Sequence, residues 1–160
     1  DSAFWELVFQ LANERKDASS LQIAAENLYR LRPNQIQHSV NLAAILISRR
    51  IQIETAISLS YDALVRNPNN PSIQINYGHA LLLAHRYLDA MKILEGIDYR
   101  LLNTTDRQAF SFALLELRHR MGDVNGAKTI AKRIIPQLLL PGDKKVYQTI
   151  LESLGMASDQ

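Results

Sequence analysis

Apolar residues recur at spacings of three and four along most of the chain, and no stretch alternates in the two-residue rhythm of a strand. The spacing predicts helices throughout. Asn70-Pro71-Ser72 reads as a helix start, with Asn at the N-cap and Pro in the first turn. From there Ile73, Tyr77, Ala80, Leu81 and Ala84 form one stripe as far as His85-Arg86, and Tyr87, Ala90, Met91, Leu94 and Ile97 form a second. The segment before repeats the arrangement with Val40, Ala43, Ala44 and Ile47, then Ile53, Ala56, Ile57, Ala63 and Leu64, until Pro68 stops it. Upstream, Phe4, Leu7, Val8 and Leu11 start a helix that ends before Lys16-Asp17; its partner runs from about Ser20 to Leu31 and Pro33 closes it. Downstream, Thr104-Thr105-Asp106 is expected to cap a helix bearing Phe110, Ala113, Leu114, Leu117 and Met121. Gly122-Asp123 breaks it, and Ala127, Ile130, Ala131, Ile134 and Ile135 form the return helix. After the Pro141-Gly142 turn, a last helix from Asp143 to about Leu154 carries Val146, Ile150, Leu151 and Leu154 on one face.

Residues 40 to 68 and 74 to 102 look like two copies of one helical hairpin offset by 34 positions: Ala44 becomes Gly78, Ile47 becomes Leu81, Ile53 becomes Tyr87 and Ala56 becomes Ala90. A fixed period of about 34 residues is the signature of stacked helical hairpins. The third hairpin, with Tyr77-Gly78, Ala80-Leu81, Tyr87, Ala90 and Leu94, and the second, with Ala43-Ala44, Ile47, Ala56, Ala63 and Pro68, resemble the tetratricopeptide repeat (TPR) family. That resemblance implies an all-α, right-handed α-α superhelix. It would consist of four helical hairpins (about 2–33, 34–68, 70–102 and 104–138) and a C-terminal capping helix (about 143–155), whose polar face of Lys144, Lys145, Gln148 and Glu152 ends the stack. Residues 1–160 then make a single TPR-like domain, expected to be part of a longer protein. Small residues such as Gly78 and Ala90 are expected where the two helices of a hairpin cross, since they let backbones approach closely. Three departures stand out. Pro33 to Pro68 is a step of 35, which places an extra residue in the first hairpin near Ala18-Ser19; Leu102 stands where a closing proline would; and Ser111 occupies the in-register first core position, with Phe110 displaced by one.

Composition changes this picture little. The chain of 160 residues is long enough to bury a sizeable core, and 47% apolar content argues against disorder. No apolar run approaches the roughly 18 residues of a membrane span. The chain opens on Asp1 without the basic start of a signal peptide. Without cysteine there is no disulfide scaffold or thiolate site, and the compartment stays unassigned. A net charge of +2 is too small for a nucleic-acid footprint, so no nucleic-acid partner is expected; Arg118, His119, Arg120, Lys128, Lys132 and Arg133 read as a solvated basic face.

Chemistry is sparse. His38, His79, His85 and His119 lack paired ligand spacing, the glycines form no phosphate loop, and no nucleophile elbow occurs. No catalytic, cofactor or metal residues are assigned, and the protein reads as non-enzymatic. What the resemblance implies instead is a concave groove lined by the first helix of each hairpin. Its partner-binding positions would be Trp5, Phe9, His38, Asn41, Ile45, Arg49, Ile75, Asn76, His79, Leu82, Phe112, Glu116 and His119. Only Asn76 matches the Lys, Arg and Asn set with which some family members grip a C-terminal carboxylate, so an extended or helical peptide is the expected client of this scaffold or adaptor. Two alternatives are a regulatory or docking domain of a larger enzyme or assembly factor, and a self-association module. Both draw on the first helix, which is apolar on more than one face and could contact an upstream domain or a second copy.

Overall fold

A computed structural model describes residues 1–156, so the last four positions of the expected domain, 157–160, lie outside the described residues. Among the described residues there are nine α-helices and no strand: α1 (Ser2–Glu14), α2 (Ala18–Leu31), α3 (Ile36–Arg49), α4 (Ile53–Arg66), α5 (Pro71–Leu83), α6 (Tyr87–Glu95), α7 (Thr104–Arg120), α8 (Val124–Ala131) and α9 (Pro141–Ser153). Short 3₁₀ turns cover Tyr99–Leu101 and Pro136–Leu138.

Side-chain caps start five of the helices by satisfying an otherwise orphaned N–H. Asp1 accepts from Ala3, Asp17 from Ser20, Asn70 from Ile73, Asn103 from Asp106 and Asp123 from Gly126. The cap of α7 is therefore Asn103, one residue before the expected Thr104-Thr105-Asp106, because its short amide reaches the third N–H of the helix.

One device ends every odd-numbered helix. A left-handed residue (Lys16, Arg50, His85, Gly122 and, after α9, Gly155) lets the following N–H turn back to a carbonyl five residues earlier. Examples are Asp17 to Ala12, Ile51 to Leu46, Arg86 to Leu81 and Asp123 to Arg118. These turns locate the 35-residue step. The α1–α2 turn is as short as the others, whereas the α3–α4 turn carries Ile51 between two left-handed residues, Arg50 and Gln52. The extra residue thus belongs to the second hairpin rather than the first. The displaced register of the fourth hairpin has a similar cause: the left-handed residues His85 and Gly122 stand 37 positions apart, so Phe110 aligns with Ile73 and Phe112 with Ile75, and all four are buried.

From α1 to α8 each helix packs on the one that follows it. Odd helices also meet one another, α3 on α5 and α5 on α7, which makes theirs the tighter, inner layer. Asn76 donates to the Val40 carbonyl at 3.1 Å and Ser72 to Asp106 at 2.7 Å, tying α3, α5 and α7 in series. The crossing within the third hairpin depends on Gly78: a Cβ there would sit 2.8 Å from the Leu94 side chain, and Ala90 beside it is fully buried.

The C-terminal quarter follows a different path from the one expected. The return helix α8 ends at Ala131, well short of Ile135, and the buried amide of Gln108 then holds the chain extended. Its Nε2 donates to the Arg133 carbonyl (3.1 Å) and its Oε1 accepts from the Ile135 N–H (2.7 Å). Pro136 reinforces the break by disfavouring helix at the residue before it. Residues 132–140 form a strap whose Leu140, with Pro141, comes to lie beside Ala18, Ile45 and Ser48. From there α9 runs back to α7, where His119 and Ser153 bond at 2.7 Å. Instead of ending the stack, α9 bridges α3 and α7 on the inner layer. Gly142 makes this possible, because a Cβ there would collide with the Ser48 carbonyl. Tyr147, Ile150, Leu151 and Leu154 are buried with Phe112, Leu115, Ala127 and Ala131, and burial of these apolar groups anchors the helix. Lys144, Lys145, Gln148 and Glu152 face water.

Candidate functional site

The strap and α9 divide the inner face into a closed half and an open half. In the closed half, Glu116 of α7 is almost wholly buried, with side-chain exposure of 2%. It accepts two hydrogen bonds of 2.8 Å from the Arg50 guanidinium, lies 2.8 Å from His79 Nε2, and accepts a third guanidinium bond from Arg120 at 3.0 Å. The left-handed backbone of Arg50 delivers its side chain here from the end of α3, and the His79 ring rests edge-on against Phe112. Burial alone would raise the Glu116 pKa, but His79 and Arg50 together outweigh it and hold the carboxylate at about 2.

Asp143, in the first turn of α9, completes the cluster and sits in the opposite situation. Its Oδ1 is 3.7 Å from Arg50, buried, and without a hydrogen bond. Burial pushes its pKa up to about 6; the charges of His79 and Arg50 oppose the rise, and Glu116 adds to it. Arg50 is already committed to Glu116, which leaves Asp143 underserved.

The open half is a cleft of about 410 Å³ that all of α1, α3, α5 and α7 line, with the strap as its far wall. Its polar groups are Asn13 and Lys16 from the end of α1, Gln37 and Asn41 of α3, Ser72 and Asn76 of α5, Thr105 and Asp106 of α7, and Asp143. Gln37 donates to Asn41 at 2.8 Å, which aligns both amides along one helical stripe. Val40, Ala44, Ile75, Ala109 and Leu138 to Leu140 supply the apolar floor and wall. A second recess of about 370 Å³ lies between α7 and α9, lined by Glu116, His119, Arg120, Lys145, Val146, Thr149 and Ile150.

The thirteen positions expected along the groove separate across these regions. Asn41, Ile75 and Asn76 line the open cleft. His79 and Glu116 belong to the buried ion cluster, and Glu116 with His119 borders the second recess. Ile45 lies beside the strap, Phe112 is packed with α9, and Leu82 is buried among α6 and α7 residues, so none of the three is open to a partner in this conformation. His38 is buried with neither ring nitrogen hydrogen-bonded. Arg49 donates to Gln22 at 2.6 Å. Trp5 packs edge-on against Phe4 (5.0 Å between ring centroids), and Phe9 packs on the α1–α4 core. Sequence reasoning missed Gln37, Asp106, Arg50 and Asp143. The four-residue spacing of Gln37 and Asn41 was a usable signal for the first; the Arg50–Glu116 pair, 66 positions apart, had none. Of the basic residues read as a solvated face, Arg118 pairs with Glu95 at 2.8 Å and with Asp123 at 3.7 Å.

No helix of the described residues is long and apolar enough to cross a membrane. No protein-family model, curated protein or solved structure matches the chain.

Proposed function

We propose that this is a non-enzymatic interaction module of tetratricopeptide type that binds an extended segment of a partner protein in the open cleft. The observation that carries this reading is the run of amide side chains, Gln37, Asn41 and Asn76, over an apolar floor on successive inner helices. A primary amide offers both donor and acceptor, which is the pairing a peptide backbone needs at every residue. The amides favour an extended client over a helical one, because a helix satisfies its own backbone N–H and C=O groups internally while an extended segment presents them to Gln37, Asn41 and Asn76. The strap forming the far wall is itself extended at Leu139 and Leu140, and it supplies the flat side against which such a segment can lie. To test this, a photo-crosslinking amino acid replaces Asn41 in the full-length protein within its native cells. A partner adduct at Asn41, absent when the same reagent sits at Lys128 on α8, supports the reading; adducts confined to Lys128 overturn it.

A second surface supports an additional docking role. Aligned on the hairpin turns, Phe4 corresponds to His38, Ile73 and Phe110, and Leu11 to Ile45, Ala80 and Leu117, all buried. On α1 these residues are 57% and 41% exposed, and Leu7 between them is 55% exposed. The face suits a further hairpin or a second copy of the chain. Sedimentation equilibrium of the full-length protein and its Leu7→Asp/Leu11→Asp variant distinguishes the two: a dimer that the variant abolishes shows self-association, and a monomer in both excludes it.

A further inference from the structure

We infer that the client segment carries a lysine or arginine, whose cationic end is received by Asp143 in the lining of the cleft. This deepens the reading above and rests on it. Asp143 lines the cleft, yet its Oδ1 is buried with no hydrogen bond, whereas the buried carboxylate of Glu116 is served by Arg50, His79 and Arg120. A buried acceptor left without a donor marks a place where a group from outside completes the site. The groups facing Asp143 do not complete it. Arg50, from the α3 turn, directs two guanidinium nitrogens to Glu116 and reaches Asp143 only at 3.7 Å, while His79 of α5 and Arg120 of α7 are also turned to Glu116.

The charges of the cleft agree with this. Within the lining, Lys16 is balanced by Asp106, which accepts from Ser72, so Asp143 leaves one net negative charge. An extended segment lying across Asn41 and Asn76, with apolar residues on Ile75 and the leucines of the strap, directs every second side chain toward one wall. A long, flexible basic side chain flanked by such residues reaches the carboxylate while its methylene stem covers apolar surface. The same carboxylate would repel an acidic side chain and receive no hydrogen bond from an aliphatic one.

The test uses the full-length protein and four pentapeptides, acetyl-Ser-Leu-Xaa-Leu-Ser-amide with Xaa lysine, arginine, norleucine or glutamate, measured by calorimetry at neutral pH alongside n-butylamine. The lysine and arginine peptides are expected to bind about tenfold more tightly than the norleucine peptide, as for a hydrogen bond to a charged group, and the glutamate peptide more weakly still. Asp143→Asn should abolish that preference without weakening the norleucine peptide, and circular dichroism checks that the variant is folded. Asn41→Leu should weaken all four, because it removes a backbone contact rather than the charge. Equal affinity of the peptides with sensitivity to Asn41→Leu overturns the basic preference and leaves the cleft reading standing. Binding of n-butylamine as tight as the lysine peptide overturns a peptide client, and failure of all four peptides to bind overturns both readings.

Discussion

Replacing Asp143 by Asn should stabilise the protein at neutral pH and change nothing near pH 4. A carboxyl whose pKa is about 6 in the folded state and 3.8 otherwise keeps its proton on folding between those values. The folded state therefore binds more protons in that window, and stability falls as pH rises through it. The shift of about two units corresponds to about 3 kcal/mol, carried as a penalty above pH 6 and absent below about pH 4. Asparagine holds a neutral side chain of the same shape at every pH, so the variant escapes the penalty. For a domain of this size 3 kcal/mol is about 6–12 °C in Tm. Thermal melts of both proteins at half-unit steps from pH 4 to 8, read as the difference between them, cancel the exposed carboxylates common to both. The expected difference is near zero at pH 4, opens between pH 4 and 6, and is flat above. A difference that does not vary with pH, or a variant less stable than the parent at pH 7, would refute the environment assigned to Asp143.

Glu116 gives the opposite profile. Its stabilisation of about 3 kcal/mol is present above its ordinary pKa of 4.5 and is lost as pH falls toward 2, so Glu116→Gln should flatten the acid limb of a urea-denaturation series while costing stability at pH 7. Gly142→Ala drives a methyl group into the Ser48 carbonyl and should cost about 1–3 kcal/mol, with faster hydrogen exchange in α9 than in α5. Gln108→Leu leaves the Arg133 carbonyl and the Ile135 N–H without their partner and should cost about 2–4 kcal/mol by chemical denaturation. Gly122→Ala meets no atom within 4 Å but forces a side chain into left-handed backbone at φ 79°, so its cost of about 1–2 kcal/mol should appear in Tm with no change in exchange protection elsewhere.

The helices and their pairing were legible because each depends on local information: three-and-four spacing, a capping residue such as Asn70, a break such as Gly122-Asp123, and small residues where helices cross. Asn70-Pro71 started α5 as expected, and Gly78 with Ala90 sits at a tight crossing. Reading stopped where geometry is set by contacts distant in sequence. Leu138, Leu139 and Leu140 look like the apolar tail of a hairpin, and nothing nearby says that Gln108 will catch the chain 25 positions away and turn it across the inner face. Consequently Ile45 and Phe112, correctly assigned to the first helices of their hairpins, were read as open when the protein covers them itself. The ion cluster escaped for the same reason, since Arg50, His79, Glu116 and Asp143 come from four helices or turns and share no motif. Asn41 and Asn76 were found because both stand on the first helices of their hairpins, the helices that form the inner layer and line the cleft.

Hydrogen exchange of the full-length protein, with and without the acetyl-Ser-Leu-Lys-Leu-Ser-amide peptide at saturation, tests most directly whether clients enter the open cleft. Slower exchange gathered on Leu138 to Leu140 of the strap, on the first turn of α9 and on the facing turns of α3 and α5 is the result expected. Protection confined to α1 around Phe4, Leu7 and Leu11, with the strap unchanged, would contradict the account.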